Sequence, residues 1–170
     1  MLVDRSGAVE DAWTHADDNG PLPAGPVILP RARLSEAAGR AGPTGVHLPN
    51  DTDPRDIVPV FGDLDLISVA FPSFADGRGF SIGKMLRELG FEGRLRATGP
   101  VISDQFAYLL ECGFDEAAVP EAVAARQPVE MWLAQLSTLS IGYQRGVLCA
   151  EGRTGAGRAS ILDRRRAAGR

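Results

Sequence analysis

The sequence predicts an α/β fold, a single domain built on a mainly parallel sheet with flanking helices. Three observations predict it. The run LDLISVAF at 64–71 is apolar almost throughout, as suits a strand buried on both faces. GFSIGKMLRELG at 79–90 then places Phe80, Ile82, Met85, Leu86 and Leu89 largely on one side of a helix that stops at Gly90. A second strand candidate, GRLRAT at 93–98, follows at once. Strand, helix and strand with short connections imply parallel pairing through a right-handed crossover.

The remaining elements are read in chain order. Residues 1–25 read as an irregular N-terminal segment, since ADDNGPLPAGP at 16–26 holds three prolines and two glycines. The α/β domain then spans 26–144. VIL at 27–29 is a short strand, RLSEAAGRAG at 33–42 a short helix stopped by glycine, and GVHL at 45–48 a strand. PNDTDPRDIVPVF at 49–61 opens on capping residues, with Pro54 suited to a first helical position and Pro59 limiting the helix. SDQFAYLLECG at 103–113 is helical, FDEAAV at 114–119 is a strand, and 120–139 is a helix broken near Pro128. SIGYQ at 140–144 is a last strand candidate, and Trp132 and Phe106 read as core.

Composition narrows the function classes. The chain has 170 residues, 44% hydrophobic and 24% charged, with a net charge of −4, as in a globular domain with a core of its own. No apolar run approaches the ~20 residues of a membrane span, so no membrane partner is expected. The acidic start MLVDRSGAVEDAW lacks the apolar stretch of a signal peptide, which predicts a cytoplasmic location. Charge is uneven: 145–170 holds seven arginines against one aspartate and one glutamate, a formal +5. This tail reads as disordered, or as a short helix around SILDRRRAA, and as a solvated extension over an acidic body rather than an arm for nucleic acid or an acidic partner. One arginine cluster without interleaved aromatics gives little reason to expect nucleic acid.

Chemistry-bearing residues are few. Cys112 and Cys149 are too few for a zinc or iron–sulfur site, which usually takes about four ligands. His15 and His47 have no metal-spaced partners, so neither a metal nor a cofactor is expected. Cys112 falls at a helix end, where the dipole disfavours thiolate, and reads as a packed thiol. No histidine is adjacent in sequence to activate Ser81 or Ser103, and His47 would have to arrive through the fold.

The stretch FADGRGFS at 74–81 stands between the apolar strand and its helix. Gly77 and Gly79 permit positive φ and close backbone approach. Arg78 at a helix N-terminus offers a fork suited to carboxylate, sulfate or phosphate. Against that, Asp76 argues for a cap or an ion pair, and the glycine spacing misses the dinucleotide and phosphate-loop patterns. The reading stays open between a tight turn and an anion site. Loops after neighbouring parallel strands emerge at one rim, so Asp76, Gly77, Arg78, Gly79 and Ser81 are expected near Thr98, Ser103, Asp104 and Gln105, with Arg96 joining the same surface. Asp76 and Asp104 could pair as acid and base there, but each is more simply a helix cap.

FPSFADGRGFSIGKMLREL at 71–89 and GRLRATGPVISDQFAYLLECGFD at 93–115 resemble a bacterial family of unknown function. The opening DAW, ADD and LPAGPVILP also fit, and the likeness runs from about residue 10 to 144. The family is labelled an oxidoreductase of sulfite reduction because its genes lie beside those of assimilatory sulfite reductase and sulfate assimilation. The resemblance maps its pattern onto Phe71, Phe74, Asp76, Gly77, Arg78, Gly79, Ser81, Arg96, Asp104, Gln105 and Cys112, among others. This chain departs at Ser73, where lysine is expected, at Ala75, often threonine, and at Ser103, often arginine. Two basic positions are thus missing from the rim. By resemblance, the chain is an accessory protein of sulfite or sulfate reduction that contacts sulfite reductase or another enzyme of that route. The alternative is a small enzyme or sensor that binds an anionic metabolite at the DGRG and SDQ loops. No residue pattern here could hold siroheme or an iron–sulfur cluster unaided.

Overall fold

The computed structural model describes residues 1–140. The arginine-rich tail expected at 145–170 lies outside the described residues, as do all but the first residue of the strand expected at 140–144. Among the described residues, eight strands form one sheet: β1 Leu2–Asp4, β2 Gly7–Val9, β3 Thr14–His15, β4 Val27–Pro30, β5 Thr44–Leu48, β6 Leu66–Ala70, β7 Arg94–Thr98 and β8 Glu116–Ala118. Four α-helices accompany them: α1 Arg78–Glu88, α2 Phe106–Glu111, α3 Glu121–Ala124 and α4 Val129–Ala134. The helices expected after β4 and β5 form as 3-10 helices, Arg31–Ala37 and Pro54–Asp63. Pro54 begins the second, Asp53 accepts the Arg55 N–H, and Pro59 inside it has no N–H to give to an α-helical hydrogen bond. Pro128 interrupts the helix expected over 120–139, leaving α3, α4 and a closing 3-10 helix at Gln135–Ser140.

Residues 1–25 are not irregular as expected; they contribute three strands. β1 pairs antiparallel with both β2 and β8, whereas β3 pairs parallel with β4. The sheet order is β2-β1-β8-β7-β6-β5-β4-β3, and β3 to β8 run parallel in unbroken sequence order. That order never reverses, so it offers no switch-point crevice of the doubly wound kind. Right-handed crossovers between successive neighbours put the helices on one face of the sheet.

The order also bends the sheet. β2 and β3 lie at opposite edges yet are joined by only four residues, 10–13. Eight flat strands at ~4.8 Å spacing would separate those edges by roughly 34 Å. Five Cα steps from Val9 to Thr14 span at most ~18 Å. The sheet must therefore curl, with 10–13 crossing the open side of its concave face. The helix-facing side carries the core: Val27, Leu29, Val46, Leu48, Ile67, Val69, Leu95, Ala97 and Ala117 are fully buried, under Leu86, Phe106, Leu109 and Trp132. Phe106 and Trp132 stack edge to face at 5.5 Å, as core residues should.

Candidate functional site

The carboxyl rim of the parallel strands carries the residues singled out in sequence. After β6 the chain turns through 71–77 into α1. Asp76 organises that turn: Oδ1 accepts the Arg78 backbone N–H and Nε at 3.1 Å each, and Oδ2 accepts Arg78 Nη2 and Asn50 Nδ2 at 2.7 Å each. The Arg78 hydrogen bonds, with Asn50 adding less, hold the Asp76 carboxyl down at about 2. After β7, Gln105 reaches back, its Nε2 donating to the Phe74 carbonyl at 2.7 Å while its Oε1 accepts the Ile102 N–H. The Ser103 N–H in turn donates to Gln127 Oε1 at 2.7 Å. The two loops thus meet, as the parallel order requires. Ser81 on α1 and Asp104 in the 103–105 turn are both exposed.

Two expectations about this rim are corrected. Neither Gly77 nor Gly79 has positive φ, because the turn is completed by Asp76 and the chain enters α1 through ordinary helical backbone at Gly77. Gly79 is needed for another reason: a Cβ there would lie 2.5 Å from the Phe71 ring, and one at Gly83 would lie 2.2 Å from the Phe114 ring. The two glycines, four apart, let α1 settle onto two aromatic rings. Arg96 does not join the rim surface. It alternates with Leu95 and Ala97 on β7, points to the concave face, and is 1% exposed. Its Nε donates to Glu116 Oε1 at 2.8 Å, and Nη1 and Nη2 donate to the two oxygens of Asp11 at 2.8 and 2.9 Å.

Arg96 belongs to a constellation that sequence reading did not assemble. His47, Ser68, Arg96 and Glu116 stand in one register row across β5, β6, β7 and β8. His47 Nδ1 lies 3.0 Å from Ser68 Oγ, which lies 2.8 Å from Thr98 Oγ1. His15 packs its ring edge-on to His47 at 5.8 Å. Burial is the main force pushing both imidazoles below their ordinary range, with Arg96 acting second on His15 and His15 second on His47. So His47 does arrive through the fold, but at Ser68 rather than at Ser81 or Ser103. Glu116 Oε2 is buried without a hydrogen bond, and Arg94 Nη1 at 3.3 Å answers its charge. At the carboxyl end of this face a cavity of about 520 Å³ opens between Thr98, Val119 and Pro120 on one side and Leu2, Val9 and Asp11 on the other. The Met1 ammonium at its margin donates to the Val119 carbonyl at 2.9 Å.

The other titratable candidates are structural. Cys112 is buried, and burial pushes its thiol up, away from a reactive thiolate. Arg87, one of the positions that the family resemblance marks, is a buried strut. It donates to the carbonyls of Gly113, Phe91 and Gly93 and to Asp115 Oδ2 at 2.8 Å. Among the described residues, no three His, Cys, Asp or Glu side chains gather as metal ligands, and no helix is long and apolar enough to cross a membrane.

The molecule is therefore a curled, mostly parallel α/β sheet with a charged rim and a polar concave face. A family model described as "Bacterial protein of unknown function (DUF934)" matches residues 45–152, and the chain belongs to that family. A search of curated proteins found no match.

Proposed function

We propose that this chain is an accessory protein of assimilatory sulfite or sulfate reduction that works by docking on a reductase or another enzyme of that route through its carboxyl rim. The assignment to that route rests on the family resemblance of the DGRG and SDQ segments. The observation that carries the docking reading is the rim's pair of exposed aromatic side chains. Phe74 is 57% exposed and Tyr108 55% exposed, on two segments that hydrogen bonding and packing hold in place. Gln105 fixes the Phe74 backbone, and Tyr108 lies one turn further along α2 with its ring 4.8 Å from that of Phe80. Aromatic anchors on a braced surface beside an arginine are what protein interfaces use, because little side-chain freedom is lost on docking.

The alternative, an enzyme or sensor for an anionic metabolite at the same rim, draws less support. The Arg78 fork is already taken by Asp76, and Arg96 is tied to Glu116 and Asp11 behind the sheet. An incoming anion would have to displace a carboxylate at either arginine. The test is capture from native cytoplasm of cells grown on limiting sulfate, comparing the wild-type chain with Phe74→Ala and Tyr108→Ala. The proposal expects an enzyme of sulfite or sulfate reduction in the wild-type eluate and its loss from both variants. Equal recovery with all three would refute it.

A further inference from the structure

The concave face holds a chain of three side chains that the rim reading does not use. It begins at Thr98, which lines the cavity at the carboxyl end, passes through the fully buried Ser68, and ends on His47. Both links are short, 2.8 Å from Thr98 Oγ1 to Ser68 Oγ and 3.0 Å from Ser68 Oγ to His47 Nδ1. Such a chain can point either way. If His47 Nδ1 carries no proton, it accepts from Ser68, Ser68 accepts from Thr98, and the Thr98 oxygen is left to accept from the cavity. If Nδ1 carries the proton, each bond reverses and Thr98 donates into the cavity.

The rest of the wall selects the ligand. Leu2, Val9, Val119 and Pro120 are apolar, which suits a small apolar body. Asp11 is an acceptor only, and the Met1 ammonium at the margin, which already donates to the Val119 carbonyl, and Arg96 behind Asp11 offset its charge, so the wall as a whole favours neither an anion nor a cation. A hydroxyl both donates and accepts, so it is served by Asp11 and by either direction of the Thr98 chain.

We propose that this cavity is a binding site for a small molecule with a hydroxyl head and an apolar body, and that His47 senses its occupancy through Ser68 and Thr98. The site is independent of the docking rim, since none of its residues lies in the DGRG or SDQ loops. Phenol is a suitable probe, with benzoate as the anionic control. Methyl NMR of the full chain should show phenol shifting Leu2, Val9 and Val119, together with the His47 imidazole signals. Ser68→Ala should leave the methyl shifts in place and abolish the His47 response. Thr98→Val should weaken phenol about three- to tenfold, the loss of one hydrogen bond, while Arg78→Ala changes nothing. Absence of methyl shifts up to the solubility of phenol would overturn the site, as would benzoate binding more tightly than phenol. An undiminished His47 response in Ser68→Ala, or unchanged phenol affinity in Thr98→Val, would overturn the relay.

Discussion

Arg78 with Asp76 and Arg96 with Glu116 are the same chemical pair in opposite surroundings. At the rim the arginine is 62% exposed and its aspartate 21%. On the concave face the values are 1% and 0%. Water screens the first pair and returns solvation to either partner when the other is removed, so it contributes little to holding the fold together. The second pair has no such refuge. Each member is tolerable in the interior only because the other, with Asp11 and Arg94, answers its charge. The rim pair is thus free to be shaped by what it meets outside, whereas the interior pair answers to the sheet.

The contrast breaks most visibly at Arg96. Arg96→Ala strands Glu116 in the interior and should cost about 3–5 kcal/mol in urea unfolding. Replacing both partners with apolar residues, Arg96→Met with Glu116→Leu, should recover most of that loss. A single substitution as mild as a surface change would show that water reaches Glu116 after all. Packing under the rim should come next. Gly83→Ala drives a Cβ into the Phe114 ring and should cost about 1–3 kcal/mol by the same measurement, as overpacking does. Gly77→Ala meets nothing within 4 Å and should be far milder.

Acid sharpens the comparison further. His15 and His47 are held neutral in the fold mainly by burial, and in the unfolded chain they take up protons near 6.5. Below that pH the unfolded state binds more protons, so stability should fall as pH drops from about 7 to about 5.5 and stay flat just above 7. Melting curves at several pH values check this, and His47→Gln should flatten the slope. At the rim, Asp76 is depressed from 3.8 to about 2, so whatever stability its ionisation gives persists above 3.8 and is lost only as pH falls towards 2. Lowering the pH to 5.5 should therefore weaken the interior array and leave the rim unchanged.

The two regions also differ in how far the sequence reveals them. The rim is local: Asp76, Arg78 and Gln105 stand in or directly after short loops that follow strands marked by apolar runs, and parallel order alone brings those loops together. The parallel core is legible for the same reason, since VIL, GVHL, LISVA and RLRAT each announce a buried strand. The concave face depends on register. His47, Ser68, Arg96 and Glu116 are four isolated polar residues in apolar company, and nothing in one strand says which residue of the next stands opposite. The alternation R-L-R-A-T puts Arg94, Arg96 and Thr98 on one face of β7, but it does not say whether that face meets the rim or lies behind the sheet. β1 and β2 are not legible because three residues each, joined by Arg5 and Ser6, show too little alternation to read as strands. Gly79 looks like a turn residue in the sequence, although its role is set by the Phe71 ring just past β6.

The account turns on the claim that the DGRG turn faces a functional surface rather than bracing the fold. Arg78→Ala tests it most directly when stability and function are read on the same protein. The account predicts an unchanged melting temperature together with lost capture of the partner enzyme and lost complementation of sulfite-dependent growth. A large drop in melting temperature, or full capture and growth at unchanged stability, would contradict it.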